Sequence, residues 1–148
     1  MGKIFVLGDE GIERLLHNSL VGRIACSSLD AESDPRPYLV PLAYGYDGES
    51  VYTFSNPGRK IEIMRSQPLV SFEVDAAVAE DRWESVIAEG TYEELMSEGD
   101  RQKAHGVLFA GRLESPPFSP AQIVYRIRLT KKTGRFELPD GEEPADSR

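Results

Sequence analysis

The segment Tyr52-Thr53-Phe54-Ser55-Asn56-Pro57-Gly58-Arg59-Lys60 combines residue types and spacing suited to holding an anion. A strand-forming run ends in the hydroxyl of Ser55. The backbone then turns at Pro57-Gly58, and two cations open what reads as a helix. Phosphate binding needs these parts together: free N–H groups at the positive end of a helix, a hydroxyl donor, and guanidinium or ammonium charge. The same residue types also make an ordinary solvated loop-to-helix junction, where exposed Arg-Lys pairs are common. The residues alone leave both readings open.

The rest of the chain offers little reactive chemistry. Cys26 is the single cysteine, which rules out an internal disulfide and a thiolate zinc site. The two histidines, His17 and His105, lie far apart on helical segments and read as surface residues, so no metal site is expected. No Ser-His-Asp triad or carboxylate dyad is evident. Cys26 shares a strand face with Ile24 and reads as a small core residue. Trp83 reads first as a packing anchor. Tyr38, Tyr44, Tyr46 and Tyr52 read as core and interface, while Glu73 and Asp75 point to solvent or toward a protein contact.

Bulk charge narrows the partners. The 148 residues carry a formal net charge of −8, a field that repels phosphate backbones, so DNA and RNA are not expected partners. A small anionic ligand stays compatible where cations gather locally. No run approaches the roughly 20 apolar residues of a membrane helix, and no secretion signal is expected from Met1-Gly2-Lys3-Ile4-Phe5-Val6-Leu7-Gly8. A cytoplasmic location follows as the default expectation.

The elements that must position these residues can be read from periodicity. Ile12, Leu15, Leu16 and Leu20 recur at helical spacing and predict a helix over Glu10 to Leu20, with Asp9 as its cap. Val21 to Leu29 reads as a strand and Asp30 to Arg36 as a loop. Pro37 to Tyr46, the Asp47-Gly48 turn and Val51 to Ser55 form a hairpin, and Pro41 suits a bulge or an edge. A short helix over Arg59 to Ser66 ends at Gln67-Pro68. Leu69 to Asp75 is a strand, Ala76 to Asp81 a loop, and Arg82 to Glu94 a long strand. Ser97 to Arg112 is a helix candidate. Ile123 to Thr130 alternates with period two, and a turn at Lys132-Thr133-Gly134 leads to a short pairing over Arg135 to Leu138. Residues 139–148 read as an acidic disordered tail after a single domain over 1–138. About six antiparallel strands without βαβ rhythm predict a mainly β protein, a barrel with peripheral helices.

Five segments in register carry a resemblance: Gly22-Arg23-Ile24-Ala25, Pro37 to Leu42, Ser55 to Lys60, Val70 to Asp75, and Trp83-Glu84-Ser85-Val86. Together they resemble the pyridoxamine 5′-phosphate oxidase-like FMN-binding split β-barrels, in the branch that includes nitroimidazole-resistance proteins. The resemblance implies a homodimer with FMN in a groove between protomers. It implies that Val40, Pro41 and Leu42 run along the flavin ring and that Ser55 and Lys60 hold the phosphate, helped by Arg59. Thr53 and Phe54 would lie beneath the cofactor, with Phe54 standing where relatives often carry His. Trp83 and Ser85 would reach the flavin, commonly from the partner subunit.

An FMN-dependent oxidoreductase reducing a small organic acceptor with NAD(P)H-derived electrons is the resulting expectation. An F420-dependent reductase, a non-catalytic flavin- or haem-binding module, and a scaffold without cofactor are the alternatives. Oxidation of pyridoxamine phosphate itself is the weaker expectation. The classical oxidases extend into a longer C-terminal region with substrate-phosphate cations, where this chain reads Glu142-Glu143-Pro144-Ala145-Asp146.

Overall fold

Side chains two residues apart on a strand share a face, so Ile24 with Cys26, and Val70 with Phe72 and Val74, form apolar rows that must be covered. All five are buried, because the sheet that carries them curls around its own inner face. A computed structural model of the chain describes residues 1–145. Its strands are β1 (Lys3–Leu7), β2 (Val21–Cys26), β3 (Tyr38–Ala43), β4 (Gly45–Tyr46), β5 (Ser50–Ser55), β6 (Leu69–Ala79), β7 (Arg82–Glu94) and β8 (Ile123–Leu138). Three helices, α1 (Asp9–Asn18), α2 (Arg59–Ser66) and α3 (Glu98–Leu108), lie between them.

The strand order is β3-β2-β6-β7-β8-β5-β4, with β1 added alongside β8, and every pairing is antiparallel. β3 and β4 stand at opposite ends of this order, yet Tyr44 alone separates them in the chain. The sheet must therefore curl until its two ends meet. Tyr44 N–H bonds Leu20 O at 3.3 Å, and Thr53 Oγ1 donates to Ala43 O at 2.9 Å. This is the expected antiparallel split barrel, with eight strands rather than six. Pro41 lies on the edge strand β3, where its missing N–H costs no ladder bond.

Helix α1 fills the concave side with Ile12, Leu15 and Leu16, all buried, each worth about 1.5–3 kcal/mol when taken from water. The Tyr44 hydroxyl donates to Leu16 O at 2.6 Å. Glu13 accepts from Tyr46 at 2.7 Å and pairs with Lys132 of β8, which anchors the helix to the barrel wall. On the opposite surface of β5 and β8, Ala104 of α3 packs with Tyr52, Leu95 and Val124 in a second cluster.

Several boundaries differ from expectation. Helix α1 ends at Asn18, so Leu20 lies outside it and is exposed, and Asp9 is its first helical residue rather than its cap. β2 stops at Cys26, and Tyr44 breaks the long strand expected over Pro37 to Tyr46. The expected loop Ala76 to Asp81 instead extends β6 to Ala79, leaving a tight turn at Glu80-Asp81. α3 starts after Ser97, whose side chain caps it, and ends at Leu108.

The expected turn at Lys132-Thr133-Gly134 is absent, because β8 runs on unbroken. Gly134 serves close packing there: a Cβ would lie 2.8 Å from Leu7 Cβ and 3.0 Å from Ile12 Cγ1. A bulge near Glu89 and Gly90 absorbs Thr130 as the extra residue of β8. In the expected tail, residues 139–145 include an Arg82–Glu142 ion pair at 2.5 Å, and residues 146–148 lie outside the described residues.

Candidate functional site

β5 delivers Ser55 to one end of the barrel, and the exposed Asn56-Pro57-Gly58 turn leads directly into α2. The first hydrogen bond of that helix runs from Glu62 N–H to Gly58 O at 3.2 Å, and no side chain caps it. The amides of Arg59, Lys60 and Ile61 therefore have no helical acceptor, and the positive end of the helix faces the turn. Ser55 Oγ is buried without a hydrogen-bond partner. An orphaned hydroxyl beside free amides is a donor set that an anion satisfies.

The two cations are also uncommitted. Among the described residues, the Lys60 side chain forms neither an ion pair nor a hydrogen bond, and the Arg59 side chain has only a 4.0 Å approach to Asp34 as an ion pair. The guanidinium of Arg59 stacks 4.8 Å over the ring of Tyr38. Beneath both lies the thiol of Cys26, buried and donating to Tyr38 O at 3.7 Å. Burial raises the thiol pKa above its ordinary value, and the positive charges of Arg59 and Lys60 oppose that rise. Both charges thus project toward the same end of the barrel as Cys26. Ser55, the free amides and these two cations are together a donor set of the kind that suits an anion.

The other residues singled out in the sequence divide into three groups. Val40 and Leu42 point inward from β3 and are half-buried, while Pro41 faces out. The outer edge of β3 carries no strand among the described residues, so its backbone is open to a flat ligand. Thr53 is buried and committed to Ala43 O. Phe54 points to the opposite face of β5, packing 5.0 Å from Phe118 and 6.0 Å from Phe109 under α3. The alternation of β5 therefore separates Phe54 from Ser55 and Thr53.

Trp83 and Ser85 lie at the far end of β7, whose other end reaches α2 through the Arg65–Glu94 pair at 2.8 Å. Eleven strand steps span roughly 35 Å, so one chain does not bring Trp83 to Ser55. Trp83 Nε1 donates to Glu137 Oε2 at 2.5 Å. Ser85 pairs in register with Asp75 and Arg135. The sequence reading missed Asp34 and the approach of Tyr38 to Arg59. No local pattern signals either, because both depend on where the loop after β2 returns.

A separate cleft of about 880 Å³ opens between α3, the end of β7 and the Pro-rich connection, with Arg65, Arg101, His105, Met96 and Phe118 on its walls. None of the sequence-derived site residues lines it. Arg101 is already committed to Gln122 O and Ser119 O at 3.1 and 3.2 Å. Among the described residues no helix is long and apolar enough to cross a membrane.

A curled antiparallel sheet closed on itself, with helices at its periphery, places the chain in the split-barrel fold class. Residues 8–136 match the pyridoxamine 5′-phosphate oxidase family, and the chain belongs to it. An uncharacterised protein of Rhizobium meliloti is 40% identical over 90 residues, which cover 61% of this chain and 56% of that protein. The match thus spans little more than half of that relative's length. A FAD-binding protein from Mesorhizobium loti is 31% identical, covering 91% of this chain and 99% of that one, with a TM-score of 0.75. A Bacteroides thetaiotaomicron structure named for 5-nitroimidazole antibiotic resistance has a TM-score of 0.77 at 20% identity, covering 92% of this chain and 89% of its own. This last likeness is one of fold.

Proposed function

We propose that the chain binds FMN in a groove between two copies of itself and acts as an oxidoreductase, reducing a small organic acceptor with electrons from NAD(P)H. The single observation that carries this reading is the buried, unpartnered hydroxyl of Ser55 beside the uncapped start of α2 with its unpaired Lys60. Ser55, Arg59, Lys60 and the free amides hold the phosphate. The open edge at Val40-Pro41-Leu42 receives the ring. When bound, the flavin supplies the hydride chemistry, and the protein's part is orientation, electrostatics and exclusion of water. The Mesorhizobium loti relative is named for binding FAD, and the choice of FMN here follows the resemblance of this chain to the FMN-binding split barrels.

The homodimer reading has its own support. The convex face of β3, β2, β6 and β7 exposes Leu39, Val21, Leu69 and Ile87 at 66%, 45%, 66% and 57%, an apolar patch of the kind that marks association surfaces. Trp83 and Ser85 lie on this same convex face, two and one alternations from Ile87. A two-fold mate packed there carries its own Trp83 and Ser85 toward the first copy's cradle. A cytoplasmic setting keeps the single thiol of Cys26 reduced.

The test is titration of the purified protein with FMN, followed by quenching of flavin fluorescence, alongside the double variant Arg59→Ala, Lys60→Ala. Losing two charge-assisted contacts is expected to cost on the order of 3 kcal/mol, about two orders of magnitude in affinity. Equal affinity in the variant overturns the cradle. Preference for FAD over FMN in the same titration revises the cofactor.

A further inference from the structure

We propose that Tyr38 and Asp34 set the readiness of Arg59: Tyr38 holds the guanidinium by its face so that its donors stay free, and Asp34 is a resident counter-anion that the incoming phosphate displaces. This rests on the reading of the α2 start as the phosphate cradle.

The geometry separates the two roles. Arg59 Cζ stands 4.8 Å over the Tyr38 centroid, and among the described residues its guanidinium makes no hydrogen bond. Stacking occupies the flat face of a guanidinium and leaves its N–H edge available for a bidentate anion contact. An arginine held in this way loses less side-chain freedom on binding than one free in solvent. Tyr38 is itself fixed, because it closes the β2–β3 ladder opposite Cys26 and its carbonyl accepts the Cys26 thiol at 3.7 Å.

Asp34 behaves differently. Its carboxylate is occupied by Arg36, whose Nε reaches Oδ1 at 3.0 Å and Oδ2 at 3.1 Å, whose Nη2 reaches Oδ2 at 2.5 Å, and whose backbone N–H adds another bond at 3.0 Å. These bonds hold its pKa below the ordinary carboxylate value, so it stays charged, and Arg59 adds to that effect. At 4.0 Å from Arg59 it neutralises without binding tightly. A phosphate with a bidentate hold on Arg59 gains direct bonds that Asp34 does not make, yet it meets Asp34 as a like charge. Asp34 therefore lowers affinity, whereas Tyr38 raises it.

FMN titrations of the full chain test both parts. Tyr38→Leu is expected to weaken binding about 2- to 5-fold, the range of a partly exposed cation–π contact, and Tyr38→Phe is expected to match the natural protein. In an Arg59→Ala background, Tyr38→Leu should have no further effect, since nothing is left to stack. Asp34→Asn should tighten binding about 2- to 5-fold at low salt, with the gain shrinking as ionic strength rises. Thermal melts of each variant confirm that it folds. If Arg59→Ala weakens binding but Tyr38→Leu acts equally with and without Arg59, or Asp34→Asn does not tighten it, this proposal fails while the cradle stands. If Arg59→Ala, Lys60→Ala binds as well as the natural protein, or the natural protein does not bind FMN, the cradle fails and takes this proposal with it.

Discussion

The side chain of Glu137 joins Trp83 to the N-terminus: Oε2 accepts from Trp83 Nε1 at 2.5 Å, and Oε1 accepts from Gly2 N–H at 2.9 Å. Glu137 is buried on β8, between β7 and β1, so this carboxylate closes the seam at the barrel end away from Ser55 and the start of α2.

Removing it leaves two donors without a partner. Glu137→Ala is expected to lower unfolding free energy by about 1.5–3 kcal/mol, as for a lost hydrogen bond to a charged group. Urea unfolding followed by Trp83 fluorescence measures this directly. An unchanged midpoint would show that water replaces the carboxylate at no cost.

Glu73 supplies a pH dependence. Burial and the adjacent carboxylate of Asp75 raise its pKa from 4.5 to about 7, against the pull of Arg23 at 3.2 Å. The folded state holds a proton there that the unfolded state has released above 4.5. Stability is therefore lost as pH rises from near 4.5 through about 7, and the loss is complete above that. Glu73→Gln should melt higher than the natural protein at alkaline pH, with the difference closing toward pH 4.5. Parallel melting curves across the range would sink the assignment.

The convex sheet face predicts assembly. Ile87 is 57% exposed in the single chain, so Ile87→Lys should leave the fold intact. It is expected to shift the mass measured by light scattering from two chains to one and to weaken FMN binding with it. A natural protein that runs as one chain, or a variant that still runs as two, rejects this face.

Gly22 tests the packing of β2 on β6. A Cβ there would meet Phe72 Cζ at 2.4 Å and Glu73 O at 3.0 Å. Phe72 is buried and already edge-on to Tyr44 at 5.0 Å, so its ring has little room to retreat. Gly22→Ala should cost about 1–3 kcal/mol, typical of overpacking. Chemical denaturation measures it, and a neutral result means the two strands can slide apart.

Much of the architecture was legible because it rests on short-range rules. The two-residue alternation of Ile24 with Cys26 and of Val70, Phe72 and Val74 identified core faces that are buried as expected. Helical spacing marked Ile12, Leu15 and Leu16 correctly but overran to Leu20, since periodicity does not say where tertiary contacts stop. The apparent turn at Lys132-Thr133-Gly134 failed for a related reason. Gly134 is small because Leu7 and Ile12 press against it, a long-range demand that looks locally like a chain reversal.

The same division runs through the site. Residue order alone put Ser55, the turn and Arg59-Lys60 together, because neighbours in sequence stay neighbours at a strand-to-helix junction. Folding decided that Ser55 Oγ is buried without a partner, that Phe54 turns away under α3, that Trp83 lies at the far end of the barrel, and that Tyr38 and Asp34 close on Arg59. Those relations join residues remote in the chain, and they are set by strand register and by the curl that brings the ends of the sheet together.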